Sequence, residues 1–371
     1  MGPTHDQGGV AVPAAIDADK LKLFSFQVFT KLEGAVTAGM IHLGDRLGLF
    51  GTMADGARRS SAELARDAGL DERWVREWLH NQAAARIVSF EETAEGERFW
   101  LTPEAVAVLA TPSHPAYGMG MFHRLPNTMQ LLRDLPESFR TGVGYDYDAH
   151  GPEGAAGIER SFEPWYRNFL LPVGLPALDG MVARLEAGAT VADVGCGAGV
   201  AIRLMAKAFP HSQFHGYDIS ELALERAESR RQEDGLDNAH FHNVRYQPLP
   251  EDGRFDLITT FDCIHDMTHP QEMMHAIRKA ISPEGTWLLV DIKAQDTFGQ
   301  NVEKNPMASL MYGISVMSCM SSALSEPGGA GLGTLGLSEA RAREMAEAAG
   351  FTRFRKLEVD HAVNSFFEVR P

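Results

Sequence analysis

Three cysteines in 371 residues, Cys196, Cys263 and Cys319, are too few and too scattered for a disulfide framework, and none forms a CxxC pair. A disulfide-stapled secreted scaffold and a zinc ribbon are both excluded. Basic residues are scarce as well: 34 Lys and Arg stand against 50 Asp and Glu, a formal charge of −16. Phosphate backbones are held by clustered cations, so this balance argues against a nucleic-acid partner. No apolar run approaches the roughly 20 residues needed to cross a bilayer, so no membrane partner is expected. Residues 1–18 lack the basic start and apolar stretch of a signal peptide; a flexible tail and a cytoplasmic protein are expected. What is present, 44% hydrophobic and 23% charged residues, suits a globular protein long enough for two cores.

The N-terminal part reads as helical. Leu23, Phe26, Phe29 and Leu32 recur at helical spacing, and a second apolar run ends at Leu43, Leu47, Leu49 and Phe50. Two apolar helices are therefore expected ahead of a further unit. Ser60 and Ser61 before Glu63 and Leu64 predict a helix cap, followed by a helix to Ala68 and another from Asp71 to about Ala85. Two short strands near 87–90 and 98–101 complete a winged helix, giving a mainly helical domain over 19–110. Residues 111–188, broken by many Pro and Gly, read as short helices bridging to the next domain.

From residue 189 strands and helices alternate, with strands at 189–194, 212–217, 239–243, 254–261 and 285–292 and helices at 199–208, 220–233 and 270–280. This pattern predicts an α/β fold, a Rossmann-like doubly wound sheet over 189–371. An insertion at 293–336, a helix near 338–349 and two last strands, which add an antiparallel edge, complete it. Ligands of such sheets bind at the carboxyl ends of the strands.

The strongest local signal is Asp193-Val194-Gly195-Cys196-Gly197-Ala198-Gly199, which follows a strand and opens a helix. Glycines permit a sharp turn and let a ligand approach bare backbone. Dinucleotide-binding dehydrogenases use GxGxxG; here the spacing is GxGxG, with Val200 where a third glycine is needed. A pyrophosphate does not explain Asp193, whereas the ammonium and sulfonium of S-adenosylmethionine do. The next strand ends at Tyr217-Asp218-Ile219-Ser220. There a carboxylate either accepts two ribose hydroxyls or caps the following helix.

Together these residues resemble class I S-adenosylmethionine-dependent methyltransferases over about 189–292. The resemblance implies that Asp193 lies near the methionine part, that Gly195 and Gly197 border the cofactor, and that Asp218 holds the ribose. Cys196, Ile219, Phe261 and Asp262 flank these positions and join the candidate cofactor set. Over the whole chain the likeness extends to two-domain bacterial methyltransferases with an N-terminal winged helix, carried by Leu43–Phe50 and Ser61–Ala65. One departure concerns adenine: the position where many relatives carry an acidic residue is Arg245 here.

After the fourth strand comes Asp262-Cys263-Ile264-His265-Asp266-Met267. A histidine near its pKa at neutral pH can take a proton from a hydroxyl, and an adjacent carboxylate can orient it. The pair resembles the His-Asp motif of small-molecule O-methyltransferases, which implies His265 as catalytic base with Asp266 beside it; the usual following tryptophan is Met267. The alternative is a histidine that merely packs at a strand end. His265 and His269 share an i,i+4 spacing, but the segment is irregular and no third ligand is evident, so no metal is expected.

Trp165, Tyr166 and Phe169 are candidate walls of the substrate pocket, or else a simple joint between domains. Met311, within a Met-rich stretch over 305–323, belongs either to a lid over the acceptor or to the core. The expected reaction is methylation of a small molecule, first at a hydroxyl oxygen, with nitrogen or carbon as alternatives. A DNA-binding regulator is the rival class, but residues 51–110 hold seven Arg, no Lys and eleven Asp or Glu. A homodimer joined through the N-terminal domain is expected instead.

Overall fold

The computed structural model describes residues 16–371; residues 1–15 of the expected tail lie outside the described residues. Helix α1 (Ala18–Arg46) begins at Asp17, whose carboxylate accepts from the Asp19 and Lys20 amides. It runs unbroken through Gly34 and Gly39, so the two apolar helices expected here are one long helix followed by the single turn α2 (Leu49–Thr52). An interior glycine costs only about 1 kcal/mol, which the rest of a 29-residue helix absorbs.

Helix α3 (Ser61–Ala68) carries the capping box: the Ser60 hydroxyl accepts from the Glu63 amide while the Glu63 carboxylate accepts from the Ser60 amide. Helix α4 (Glu72–Ala84) and the antiparallel hairpin β1 (Ser89–Thr93)–β2 (Gly96–Trp100) complete the winged-helix unit. Gly44 of α1 faces Trp78 of α4 so closely that a Cβ would lie 2.4 Å from the ring. Only a glycine permits that crossing. Leu49, Phe50, Leu64, Leu79 and Phe99 form the core beneath it.

Helix α5 (Pro103–Leu109) packs on the N-terminal core, and the segment expected as a bridge holds α6 (Met119–Gln130), α7 (Leu135–Thr141), α8 (Gly151–Trp165) and α9 (Met181–Ala187). Pro126 and Pro164 sit inside helices, and α8 continues as π-turns over Tyr166–Gly174, a stretch that contains Pro172. Proline lacks the N–H of a helical bond, and the wider turn accommodates that loss.

The remaining elements are β3 (Thr190–Val194), α10 (Val200–Ala208), β4 (Gln213–Asp218), α11 (Glu221–Asp234), β5 (Ala239–Asn243), β6 (Phe255–Phe261), α12 (Pro270–Ala280) and β7 (Ile281–Ile292). They are followed by α13 (Phe298–Lys304), α14 (Ala308–Met317), α15 (Cys319–Ala323), α16 (Glu339–Ala348), β8 (Arg353–Lys356) and β9 (Asn364–Arg370). The sheet order is β5-β4-β3-β6-β7-β9-β8, parallel from β5 to β7 and antiparallel across β9 and β8. Apolar cores cover both faces, which is why β3 and β6 are buried along nearly their whole length. Strand order reverses between β3 and β6, and it is at the carboxyl ends of such a pair that sheets of this kind take their ligands. Among the described residues no helix is long and apolar enough to cross a membrane.

Candidate active site

The loop leaving β3 turns on Gly195, Gly197 and Gly199, whose φ angles of +73°, +53° and +71° are left-handed. A Cβ on Gly195 would meet Cys263 at 2.6 Å, whereas one on Gly197 would meet nothing within 4 Å. The loop is therefore wedged on one side and open on the other. Asp218 pins it: one carboxylate oxygen accepts from the Gly197 amide at 2.7 Å and the other from Ser220 at 2.9 Å. The cap of α11 is Ser220, whose hydroxyl accepts from the Ala223 amide, so Asp218 ties the glycine loop to the turn before that helix and keeps lone pairs on both oxygens. Cys196 is buried beside Gly216, Ile219 is 39% exposed at the rim, and Arg245 is exposed beyond β5.

Asp193 is 1% exposed. Thr259 of β6 donates to its Oδ1 at 2.7 Å, and its Oδ2 has no partner. Burial pushes this carboxyl up to about 7, against the pull of the Thr259 hydrogen bond. A buried carboxylate with one idle oxygen fits a cationic group.

At the end of β6, Phe261 is buried and Asp262 takes a left-handed φ of +50°, rare for a residue with a side chain. Asn364 of β9 donates to the Asp262 carboxylate, which burial and the neighbouring Asp291 push up to about 7. His265 follows, 2% exposed, with Nδ1 2.6 Å from Asp291 Oδ1 at the end of β7. Here the sequence expectation needs correction. The carboxylate on the His265 ring is Asp291, while Asp266 accepts from the Tyr147 hydroxyl at 2.7 Å. The two side chains leave the 3₁₀ turn close together, but His265 turns Nδ1 to the neighbouring strand while Asp266 is held by Tyr147 of the bridge. Burial opposes charging of His265, but Asp291 and the thiol of Cys319 outweigh it and hold its pKa well above the ordinary value. Burial raises Asp266 to about 7. His269 turns away toward Glu326, 3.8 Å off.

Tyr166 packs on Phe261 with ring centroids 5.1 Å apart, and its hydroxyl is raised well above the ordinary value by burial and by Asp193 and Asp262. It thus borders the glycine-loop side of the crevice. Trp165 stacks on Phe366 and meets Phe261 edge-on, while Phe169 abuts His361. Met311 is half-buried on α14 beside Asn305. The insertion element that reaches His265 is α15, through Cys319, and the glycine-rich stretch after it is tied down: the Gly333 amide donates to the His265 carbonyl at 3.1 Å.

Sequence reasoning missed Asp291, Tyr147, Asp148, Thr259 and Asn364. Asp291 carried a usable signal, since an acidic residue closing a strand next to β6 must reach the same crevice. The others come from distant segments, and only the folded chain brings them in. Asp148 accepts from the Ser220 hydroxyl and the Glu221 amide, so residues 147–148 reach from the Asp266 segment to the start of α11.

Residues 185–350 match the family model described as a methyltransferase domain, and residues 35–111 match an Rv2258c-like winged HTH domain. The mitochondrial ubiquinone biosynthesis O-methyltransferase of Candida albicans is 30% identical over 109 residues, covering 29% of this chain and 33% of that protein. The chain therefore spans about a third of that relative's length. Human N-acetylserotonin methyltransferase, solved in complex with SAM, superposes with a TM-score of 0.65 at 15% identity, covering 97% and 99% of the two chains. Mitomycin 7-O-methyltransferase gives 0.67 at 19% identity, covering 95% and 99%. At such identities the likeness is one of fold.

Proposed function

We propose that this chain, a methyltransferase domain preceded by a winged helix–turn–helix domain, uses S-adenosylmethionine to methylate a hydroxyl oxygen of a small molecule. The observation that carries the reading is Asp193, a buried carboxylate at the strand-order reversal with one idle oxygen. An ammonium group fits it. The open side of Gly197 permits close approach to backbone, Asp218 keeps lone pairs for ribose hydroxyls, and Ile219 offers an apolar edge. When bound, S-adenosylmethionine supplies an electrophilic methyl group.

Nε2 of His265 takes the acceptor's proton, and Asp291 fixes the tautomer by holding Nδ1–H and steadies the imidazolium that forms. Tyr147 fixes Asp266 at the edge of the site. Trp165, Tyr166 and Phe169 wall the crevice on the bridge side, and α14 with Met311 lies on the insertion side. In this reading residues 189–371 are catalytic, 111–188 bridge, and 19–110 join two copies.

Calorimetry tests the cofactor. S-adenosylhomocysteine should bind and NAD should not. Asp218→Ala should weaken binding about 10- to 100-fold, since charge-assisted hydrogen bonds contribute roughly 1.5–3 kcal/mol. Because Asp193 must ionise to meet an ammonium, affinity should fall as pH drops below about 7, and Asp193→Asn should flatten that dependence. Heat with NAD and none with S-adenosylhomocysteine would end the proposal.

A further inference from the structure

We propose that His265, Asp266 and Cys319 form a binding site for a zinc-class divalent cation, and that the metal competes there with proton removal by His265. One donor atom from each residue, an imidazole nitrogen, a carboxylate oxygen and a thiol sulfur, lies within 4.8 Å of the other two. All three side chains are buried or nearly so, at 2%, 9% and 8% exposure. Three protein donors with one position left over is the ligand count of an open zinc site. Imidazole and thiolate together select zinc over magnesium or calcium, which prefer oxygen. Zinc–ligand bonds of about 2.0–2.3 Å in a tetrahedron set donors roughly 3.3–3.7 Å apart. Small side-chain rotations therefore close the set. The third ligand, absent from the neighbouring sequence, comes from α15.

A second observation lies behind the ligands. Metal-bound histidines almost always give their other ring N–H to a carboxylate or carbonyl, and His265 gives Nδ1–H to Asp291, which leaves Nε2 as the ring nitrogen beside Cys319. Asp266 is steadied in the same way by the Tyr147 hydroxyl. Charge points in the same direction. Asp262, Asp266 and Asp291 surround a single histidine, and Asp291 Oδ2 is buried without a partner. A dication supplies the positive charge this cluster lacks.

The metal-binding claim stands on the donors alone; the competition rests on the proposed base role, because a lone pair given to zinc cannot take a proton. The full-length protein, freed of metal with a chelator, is titrated with zinc chloride against a chromophoric indicator and separately with cobalt(II). We expect one equivalent per chain and a near-ultraviolet thiolate–cobalt band. The band should vanish in Cys319→Ser, and zinc affinity should fall at least tenfold in Cys319→Ser and in His265→Ala. Retained S-adenosylhomocysteine binding shows that these variants are folded. No saturable zinc binding, or binding unchanged in both variants, overturns the site and leaves His265 as base untouched. Methylation of an accepted substrate should fall with zinc and return with chelator. Saturated zinc at the cluster with undiminished methylation overturns the competition, and with it the base role.

Discussion

At the scale of single residues, the site is governed by who holds His265. Its Nδ1 is committed to Asp291 at 2.6 Å, so Nε2 is the nitrogen left for an acceptor. A base acts in its neutral form, and this ring is held well above its ordinary pKa by Asp291 and Cys319 despite burial. Activity on a hydroxyl acceptor should therefore rise with pH, with its acidic limb above the usual histidine value near 6.5. His265→Ala should reduce turnover by about 10²–10⁴-fold while S-adenosylhomocysteine still binds. Asp291→Asn should shift the acidic limb downward, since the charge that favours imidazolium is gone. Rates across pH for the three proteins decide the matter. Near-normal turnover in His265→Ala would instead favour a nitrogen or carbon acceptor, for which positioning suffices.

At the scale of elements, residues 144–148 tie three parts of the crevice together. The Gly144 amide donates to the Leu324 carbonyl and that of Tyr145 to Ser321, both at 2.8 Å, Tyr147 bonds Asp266, and Asp148 caps the start of α11. Tyr147→Phe leaves a buried carboxyl short of a partner and should lower the free energy of unfolding by about 1–3 kcal/mol. Chemical denaturation measures it; unchanged stability would show that the bond is not made in solution. None of this span was legible in the sequence, because each contact joins residues more than 70 positions apart. Elements set by local chemistry were legible: the Ser60–Glu63 cap, the strands ending at Val194 and Phe261, and the helix at 270–280 follow from capping and periodicity. Adjacency in sequence points to Asp266 as the partner of the His265 ring, but adjacency in space decides it. Asp291 took its place because β6 and β7 are neighbours in the sheet.

At the scale of the whole molecule, the outstanding feature is the N-terminal half of α1, which is uncovered on all sides. Leu23, Phe24, Phe26, Phe29 and Leu32 are 59–70% exposed on one helix, and only Thr37, Ile41 and Gly44 are buried. A patch of that kind on an otherwise charged surface marks an association site. Sedimentation should find a dimer at micromolar concentration, and Phe26→Asp with Phe29→Asp should shift it to monomer. A monomeric native protein would rule this out. The placement of β9 has a separate consequence, for the order in which the protein is made. Translation proceeds at about 5–20 residues per second, and domains begin to fold as they emerge. Yet the strand between β7 and β8, which carries Asn364 to Asp262, is synthesised after every other part of the crevice. Until then the nascent chain presents β7 as an open edge lined with Trp287, Leu289 and Val290. The growing polypeptide is thus most exposed to mispairing just before its active site closes.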